Sequence, residues 1–374
     1  MQIIQDYRTL HRIPELDSTL PKTLCYIKSI LSPLGCRIFA PAKGALCAFF
    51  DFGKPDALCF RADMDALPLQ EQTGLPFCSV HPGAMHACGH DGHTAVLLET
   101  ARRIQKIKNP SHNFLLIFQP AEETTGGAEK ICCSGILEQY RVLAIFALHL
   151  WPGLRKGEIF SRPGVLMSHS TGVTAEFTGT AAHIADFRQG ADALCACCRF
   201  YHMAQQLPCF LKFGKLTGGS AGNILCDRAV LEGSLRTFCQ STVFPKKLEN
   251  LCRQACRGTG CQYRLDFSHG YPAVFNDPAL YRRVARICPV RNLPAPLRTA
   301  EDFSYYQKIV PGVYFLLGIG AAPPLHSPHF SFDEALLSVG ADLFERLFQN
   351  IKTANPQDQQ SLLWVYATKC KPSN

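Results

Sequence analysis

Between Met85 and Ala95 the sequence reads MHACGHDGHTA, with one thiol, Cys88, and three imidazoles, His86, His90 and His93, inside eight positions. The intervening Gly89 and Gly92 carry no side chain that could bury apolar surface. Thiolate and imidazole together suit zinc, or a neighbour such as manganese, nickel or cobalt. Elsewhere, Gln119-Pro-Ala-Glu122-Glu123 offers paired carboxylates, His149 precedes Leu-Trp-Pro152, and Leu325-His326-Ser-Pro-His329 adds two imidazoles. A single catalytic zinc uses three protein ligands and keeps one position open. There are more candidates here than one ion can use. That predicts two divalent cations about 3.5–4 Å apart, sharing a water whose pKa falls from about 15.7 to about 7.

Glu122 and Glu123 decide between a structural and a catalytic site. Adjacent carboxylates on an extended strand end point in opposite directions, so the two are not expected to ligate one ion. One can bind metal while the other takes a proton from water, a group for which a structural zinc site has no use. The opposing reading, two solvated acids opening a loop, suits an isolated Glu-Glu better than one in this company.

These residues need elements to bring them together. Short, wholly apolar runs at 57–60, 114–118, 142–148 and 313–317 mark strands covered on both faces. At 95–107, Leu97, Ala101 and Ile104 recur at helical spacing, with Arg102, Arg103 and Lys106 between them. Strands alternating with helices predict an α/β fold with a largely parallel sheet, in which ligands bind beyond the carboxyl ends of the strands. The reactive residues follow that rule. Arg61-Ala-Asp63-Met-Asp65 comes after the first run, Glu122 and Glu123 after the second, His149 at the end of the third and His326 after the fourth.

Asp63 is read as supporting a metal ligand, and Asp65 as ending its strand. His86 and His93 are read as capping or orienting the loop rather than ligating. Glu301 and Asp302 suit the start of a helix as well as chemistry, since acids favour first turns. His329 is expected at the surface.

The middle of the chain changes character. Val173, Ala175 and Phe177 alternate with polar residues, as do Ala229, Leu231, Gly233 and Leu235, and later Tyr263, Leu265 and Phe267. With helical runs near 190–207 and 241–256 and a strand near 210–216, the order is β-α-β-β-α-β, that of a ferredoxin-like α+β unit. The expected division is a catalytic metal-binding domain of 1–168 and 278–374, with 169–277 inserted. From Asn355 onward the chain reads as a loosely held tail with no assigned role.

Composition narrows the class. The 374 residues are 47% hydrophobic and 18% charged, as in an ordinary globular protein. The net charge of +8 arises from 38 basic and 30 acidic residues spread along the chain, which argues against a nucleic-acid partner. No apolar run approaches the about 20 residues of a membrane span, so no membrane partner is expected. The opening MQIIQDYRTLHRIPEL lacks a signal-peptide core, and a cytoplasmic protein is expected. In a reducing compartment the nineteen cysteines read as small buried hydrophobes. Cys195-Ala-Cys-Cys198 lacks the second pair that a four-thiolate zinc site needs.

The chain resembles the aminoacylase-type metal-dependent amidohydrolases and carboxypeptidases, in the branch of hippurate hydrolase, indole-acetyl-amino-acid hydrolase and N-acetyldiaminopimelate deacetylase. The resemblance runs over almost the whole chain. It is carried by His11-Arg-Ile-Pro-Glu15, Arg61-Ala-Asp-Met-Asp-Ala-Leu-Pro68, Met85-His-Ala-Cys-Gly-His-Asp-Gly-His93, Phe118-Gln-Pro-Ala-Glu-Glu123, Ala147-Leu-His149, Gly222-Asn-Ile224, Glu232-Gly-Ser-Leu-Arg236, Ala300-Glu-Asp-Phe303 and Leu325-His326.

The resemblance implies that Cys88, His90, Glu123, His149 and His326 hold two metal ions, with Cys88 bridging. Glu122 would be the general base and later the proton donor to the leaving amine. His183 would reach from the inserted domain to steady the oxyanion, in the neighbouring subunit of a homodimer. Asn223 and Arg236 would hold the carboxylate of the substrate, and the inserted domain would serve as lid and dimer surface.

The implied reaction is hydrolysis of an N-acyl-amino acid, N-acetyl or aromatic acyl, by hydroxide generated at the metal. A dipeptidase or carboxypeptidase on the same scaffold is the nearest alternative; a metal-binding protein without turnover and a thiol-based redox protein are alternatives of other classes. Gly126-Gly-Ala-Glu129 and Thr217-Gly-Gly-Ser220 are most similar to N-acetyldiaminopimelate deacetylase. Where the family often carries Pro-His after the His183 motif, this chain has Phe187-Arg188, and Asn223-Ile-Leu lacks a proline common there, so substrate preference does not transfer.

Overall fold

A computed structural model describes residues 2–238, 243–268 and 270–351. The chain divides into two compact units. One comprises Met1–Leu166, Val274–Ala295 and the chain from Glu301 onward; the other comprises Met167–Ala273 and Pro296–Ala300. The expected insertion, 169–277, differs at both ends and omits the return segment. Two pairings give the reason. The strand at Val274–Asn276 pairs within the first unit, and the backbone N–H of Ser168 donates to Leu297 at 3.1 Å and Thr299 at 2.9 Å, joining Pro296–Ala300 to the second. The tail from Asn355 lies outside the described residues.

Eight described strands of the first unit form one sheet: β1 (Arg37–Phe39), β2 (Leu46–Phe50), β3 (Ala57–Asp63), β4 (Asn113–Gln119), β5 (Val142–Pro152), β6 (Ile159–Ser161), β13 (Val290–Asn292) and β14 (Gly312–Gly320). Their order is β1-β2-β4-β3-β5-β14-β6-β13. The central β4, β3, β5 and β14 run parallel, with Ala57 opposite Asn113 and Gly312 opposite Ile145. The antiparallel pairs β1·β2 and β2·β4 lie at one margin. Every residue of β3 and β4 is buried, which is why the runs 57–60 and 114–118 within them are apolar without alternation.

Helices α1 (Gln2–Arg12), α2 (Pro21–Leu31), α3 (His90–Gln105), α4 (Gly127–Cys133), α5 (Ile136–Gln139), α8 (Pro278–Ile287) and α9 (Leu337–Asn350) complete this unit. Leu97, Leu98, Ala101 and Ile104 of α3 join Phe60, Phe146 and Phe344 in one core, where the rings of Phe60 and Phe344 lie 5.0 Å apart. α3 starts five residues earlier than the apolar spacing indicated, at His90. Gly89, with φ of +85°, lets the loop turn directly into the helix.

In the second unit, β8 (His169–Thr178), α6 (Ala193–Ala204), β9 (Phe210–Gly218), β10 (Arg228–Thr237), α7 (Val243–Ala255) and β11 (Gln262–Phe267) follow in the expected β-α-β-β-α-β order. The sheet is antiparallel, in the order β11-β8-β10-β9. Val173, Ala175 and Phe177 are buried with Phe200 of α6 and Leu248 of α7, so the period-2 pattern reflects one helix-covered face. The first unit also holds most of a short pair, β7 (Gly164–Met167) with β12 (Val274–Asn276), which completes the described strands. The seventeen described cysteines are free thiols. No described helix is long and apolar enough to cross a membrane.

Candidate metal centre

The chemistry-bearing residues of the first unit gather where β3, β4 and β5 end. Gly92 shows why the cysteine–histidine loop is built from small residues: a Cβ there would lie 2.8 Å from Leu150 Cδ1 and 3.0 Å from Phe332 Cζ. Cys88 Sγ lies 3.4 Å from His149 Nε2. The other ring nitrogen of His149 faces the carbonyl of Leu150 at 2.7 Å, and Nδ1 of His90 faces the carbonyl of Asp65 at 2.9 Å. A carbonyl only accepts, so Nδ1 of each ring carries a proton and Nε2 is the atom left to meet a metal.

His90 Nε2 is buried and has no hydrogen-bond partner among the described residues. The nearest carboxylate oxygens are Glu123 Oε1 at 3.8 Å and Asp63 Oδ2 at 3.9 Å. His326 Nε2 stands 3.1 Å from Glu123 Oε1. Of five groups among the described residues whose ligand atoms lie within 4.8 Å of one another, two are Cys88–His90–His149 and Cys88–Glu123–His326. These two share the thiol.

The electrostatics ask for a cation. Asp63 foremost, then Asp65 and Glu123, outweigh the burial of His90 and push its ring up to about 10. Burial, aided by Glu123 and Glu122, pushes the Cys88 thiol well above its ordinary range, so the thiolate forms only with positive charge beside it. His149 is held down to about 3, first by burial, and stays neutral as a ligand must. A buried ring nitrogen, converging donors and excess buried carboxylate fit a metal site.

Glu122 and Glu123 do not continue an extended strand, as the sequence suggested. β4 ends at Gln119, Ala121 adopts a left-handed φ of +58°, and both glutamates lie in the turn that follows. The turn leaves a carboxylate oxygen of each within 4.8 Å of the other and of a His90 ring nitrogen, so the two do not point apart as expected. Asp65 fixes this turn. Its Oδ1 accepts the backbone N–H of Glu122 at 3.0 Å and its Oδ2 that of Glu123 at 3.1 Å. Asp65 thus lies two residues beyond β3 and, rather than ending the strand, shapes this turn. Glu122 is buried, and its carboxyl is pushed well above the usual range by burial, then by Glu301, Asp302, Glu123 and Asp65.

Asp63 hydrogen-bonds His93 and also lies 3.9 Å from the ring of His90, one of the expected ligands. It faces His93 Nδ1 at 2.6 Å, while His93 Nε2 accepts the N–H of Leu150 at 2.9 Å. Both ring nitrogens of His93 are occupied, so it orients the loop and the end of β5, as expected. His86 differs. Neither of its ring nitrogens has a hydrogen-bond partner among the described residues, so it does not cap or orient through its ring, and burial lowers it to about 4.

Glu301 and Asp302 take the first of the roles envisaged for them, the start of a helical turn. Glu301 caps a 3₁₀ turn by accepting the N–H of Phe303 at 3.0 Å, and it lies 3.0 Å from Nη2 of the buried Arg61. Asp302 accepts from Arg61 at 2.9 Å, from Gln119 at 2.8 and 2.7 Å, and from the N–H of Ala128 at 3.0 Å. His11 of the HRIPE motif joins Asp91 of α3 at 2.6 Å and Glu71 at 3.2 Å. Asp65, Arg61, Asp302 and His11 were not singled out as supports, although a charge closing an apolar strand is a signal that sequence offers. His329 is exposed, as expected.

In the second unit, His183 and Asn223 are exposed and adjacent. The N–H of Ile184 donates to the carbonyl of Asn223 at 3.1 Å. His183 Nδ1 accepts the N–H of Ala185 at 3.1 Å, which leaves the proton of the neutral ring on Nε2. Arg236 lies half-buried on β10.

Residues 59–350 match the family described as peptidase family M20/M25/M40. The chain belongs to this family. As an M20 family member it is a hydrolase acting on amide bonds. It is 30% identical over 370 residues to an "uncharacterized hydrolase" of Staphylococcus epidermidis, covering 92% of this chain and 97% of the relative. Among solved structures it is similar to the Bacillus subtilis YXEP protein, a dinuclear metal binding peptidase of the M20 family, with a TM-score of 0.84, 29% identity, and 94% and 98% of the two chains covered. An aminobenzoyl-glutamate utilization protein from Klebsiella pneumoniae shares the fold, with a TM-score of 0.66 at 20% identity over 94% of this chain and 95% of that one. The α/β M20 architecture, a parallel catalytic sheet with a separate antiparallel unit, is the one expected.

Proposed function

We propose that the chain hydrolyses N-acyl-amino acids, with an N-acetyl or aromatic acyl group, to the carboxylic acid and the free amino acid. The observation that carries this reading is the pair of ligand groups sharing Cys88, set beside the buried Glu122. Cys88, His90 and His149 would hold one divalent cation, and Cys88, Glu123 and His326 a second. The dinuclear character of the Bacillus subtilis relative supports two ions. Thiolate with imidazole favours zinc, with manganese, nickel and cobalt as alternatives. When bound, the cations would lower the pKa of a water to about 7 and polarise the scissile carbonyl.

Glu122 takes the proton of the attacking water and delivers it to the amine nitrogen as the C–N bond breaks. His183 donates its Nε2 proton to the oxyanion that develops on the carbonyl. Asn223 and Arg236 hold the carboxylate of the substrate, which the guanidinium fork matches bidentately. The second unit serves as lid and dimer surface. Its edge strand β9 is largely exposed, and Leu216 on β9 with Leu194 and Tyr201 on α6 present apolar surface. N-acetyldiaminopimelate, whose amino acid is charged rather than apolar, is the alternative within the class, by the resemblance of 126–129 and 217–220.

A panel of N-acetyl-amino acids, N-benzoyl-amino acids and dipeptides, assayed on metal-reconstituted protein by the amine released, tests this. The expected result is faster turnover of N-acyl-amino acids, abolished by chelator, restored by divalent metal and lost in Glu122→Gln with metal content retained. Faster dipeptide turnover moves the assignment to a dipeptidase. Silence on all three classes, or activity that survives chelation and dies with alkylation, rejects it.

A further inference from the structure

The second unit contains a cleft of about 540 Å³ that no role above uses as a whole. It lies where β9 begins and β10 ends, bounded by the start of α7 and by the return segment Pro296–Ala300. Its lining residues include Leu207, Phe210, Phe238 and Phe244, with Arg236 and Arg298. Among the described residues, no aspartate or glutamate lines it.

Three features give this cleft a preference. Its volume is that of a small-molecule site, within the usual range of about 300–1,000 Å³. Its apolar walls are open to solvent, with Phe210 38% and Phe238 40% exposed. Its charge is of one sign. Arg298 stacks on the Phe210 ring at 5.1 Å and Lys247 stands over the Phe244 ring at 5.8 Å. Arg236 is half-buried, and burial lowers it without a carboxylate to compensate. Guanidinium forks match carboxylates bidentately, and aromatic faces take an apolar body.

We propose that this cleft binds an apolar organic carboxylate, its anionic end on Arg236 and Arg298 and its aryl or branched alkyl body against Phe210, Phe238 and Phe244. The inference rests on the N-acyl-amino-acid reading only for the source of the ligand, in which the body is the side chain of the amino acid. Arg298 and the phenylalanine wall then favour substrates built on large apolar amino acids over those built on glycine or lysine. The same chemistry also describes a free acid that is no substrate.

The test uses the full chain stripped of metal, so that nothing turns over, with 3-phenylpropanoate as probe in a calorimetric titration. Saturable binding is expected, with 3-phenylpropylamine and acetate at least tenfold weaker, because one reverses the charge and the other lacks the body. Arg298→Gln and Phe244→Ala should each weaken 3-phenylpropanoate at least tenfold, and Arg298→Lys less. Competition by N-acetyl-L-phenylalanine but not by phenylacetate points to substrate as the source, and competition by both to a general acid site.

Equal affinity for acid and amine overturns the proposal, as does Arg298→Gln that binds like the parent while its circular dichroism and melting temperature are unchanged. Should Arg298→Gln fail to fold, the comparison of the three probes on the parent chain still decides. A chain that binds these acids and hydrolyses no N-acyl-amino acid loses the functional reading and keeps the pocket.

Discussion

Glu122 carries the heaviest demand at the level of single side chains, since it must accept a proton from a buried position. Substituting Gln should lower kcat by roughly 10²- to 10⁴-fold and leave bound metal unchanged by elemental analysis; undiminished turnover ends its role as base. Its surroundings also set a pH dependence. Burial and the carboxylates of Glu301 and Asp302 raise its pKa, and a base works only when ionised. The acid limb of kcat/KM should therefore rise at a pH above the ordinary glutamate value of about 4.3. Glu301→Gln removes the largest of the neighbouring charges that raise it, so the limb should move to lower pH in profiles recorded at saturating metal. A limb that stays in place, or moves up, contradicts this electrostatic role.

Between elements, two carboxylates hold the site in shape. Asp65, just beyond β3, receives the N–H groups of Glu122 and Glu123 and, through its carbonyl, the ring of His90. Asn in its place offers one acceptor oxygen for two donors. Asp65→Asn should weaken metal binding about 10- to 100-fold, the usual effect of losing a group that orients a ligand, measured by competition with a chromophoric chelator; affinity equal to the parent's rules out this positioning role.

The second carboxylate, Asp91, ties α3 to α1 through His11. The partners of His11 outweigh burial and raise its ring from 6.5 to about 10. This stabilisation is fully present below about 6.5 and lost as pH rises toward 10. Glu71 is lowered from 4.5 to about 2, so its share is present above 4.5 and lost as pH falls toward 2. His11→Ala leaves two buried carboxylates uncompensated and should cost about 3–5 kcal/mol, with the largest difference in denaturant midpoint between pH 4.5 and 6.5. A difference that grows above pH 9 contradicts the charged pairing.

The central strands were legible from sequence because both faces of β3 and β4 are buried, and burial on both sides demands unbroken apolar runs. The outlying β2 pairs antiparallel with β4, and nothing in its short LCAFF stretch sets it apart from a buried loop. Asp65 was misread for a related reason: its partners lie 57 and 58 residues away. Sequence suggested an acid ending a strand and not the turn whose amides it receives.

For the molecule as a whole, the ligand-type residues were legible because the strand-end rule of parallel sheets gathers segments that sequence separates. The supports were not. Arg61 meets Asp302 across 241 residues, and no local pattern announces such a pair. Pro296–Ala300 was missed likewise, since two backbone hydrogen bonds from Ser168 place it in the second unit. The exposed edge of β9 bears on assembly. A homodimer through the second unit should sediment at about twice 41.4 kDa, and Leu216→Lys combined with Tyr201→Glu should give the monomer. A parent chain that is monomeric at micromolar concentration excludes that surface as the dimer contact.

The proposed chemistry depends most on whether Cys88, His90, Glu123, His149 and His326 enclose two cations that share the thiol. Anomalous diffraction from crystals of metal-reconstituted protein, recorded on both sides of the metal absorption edge, measures this directly. The expected map has two peaks about 3.5–4 Å apart, one reached by His90 and His149, the other by Glu123 and His326, and both by Cys88 Sγ. A single peak, or two peaks that Cys88 does not touch, contradicts the dinuclear centre.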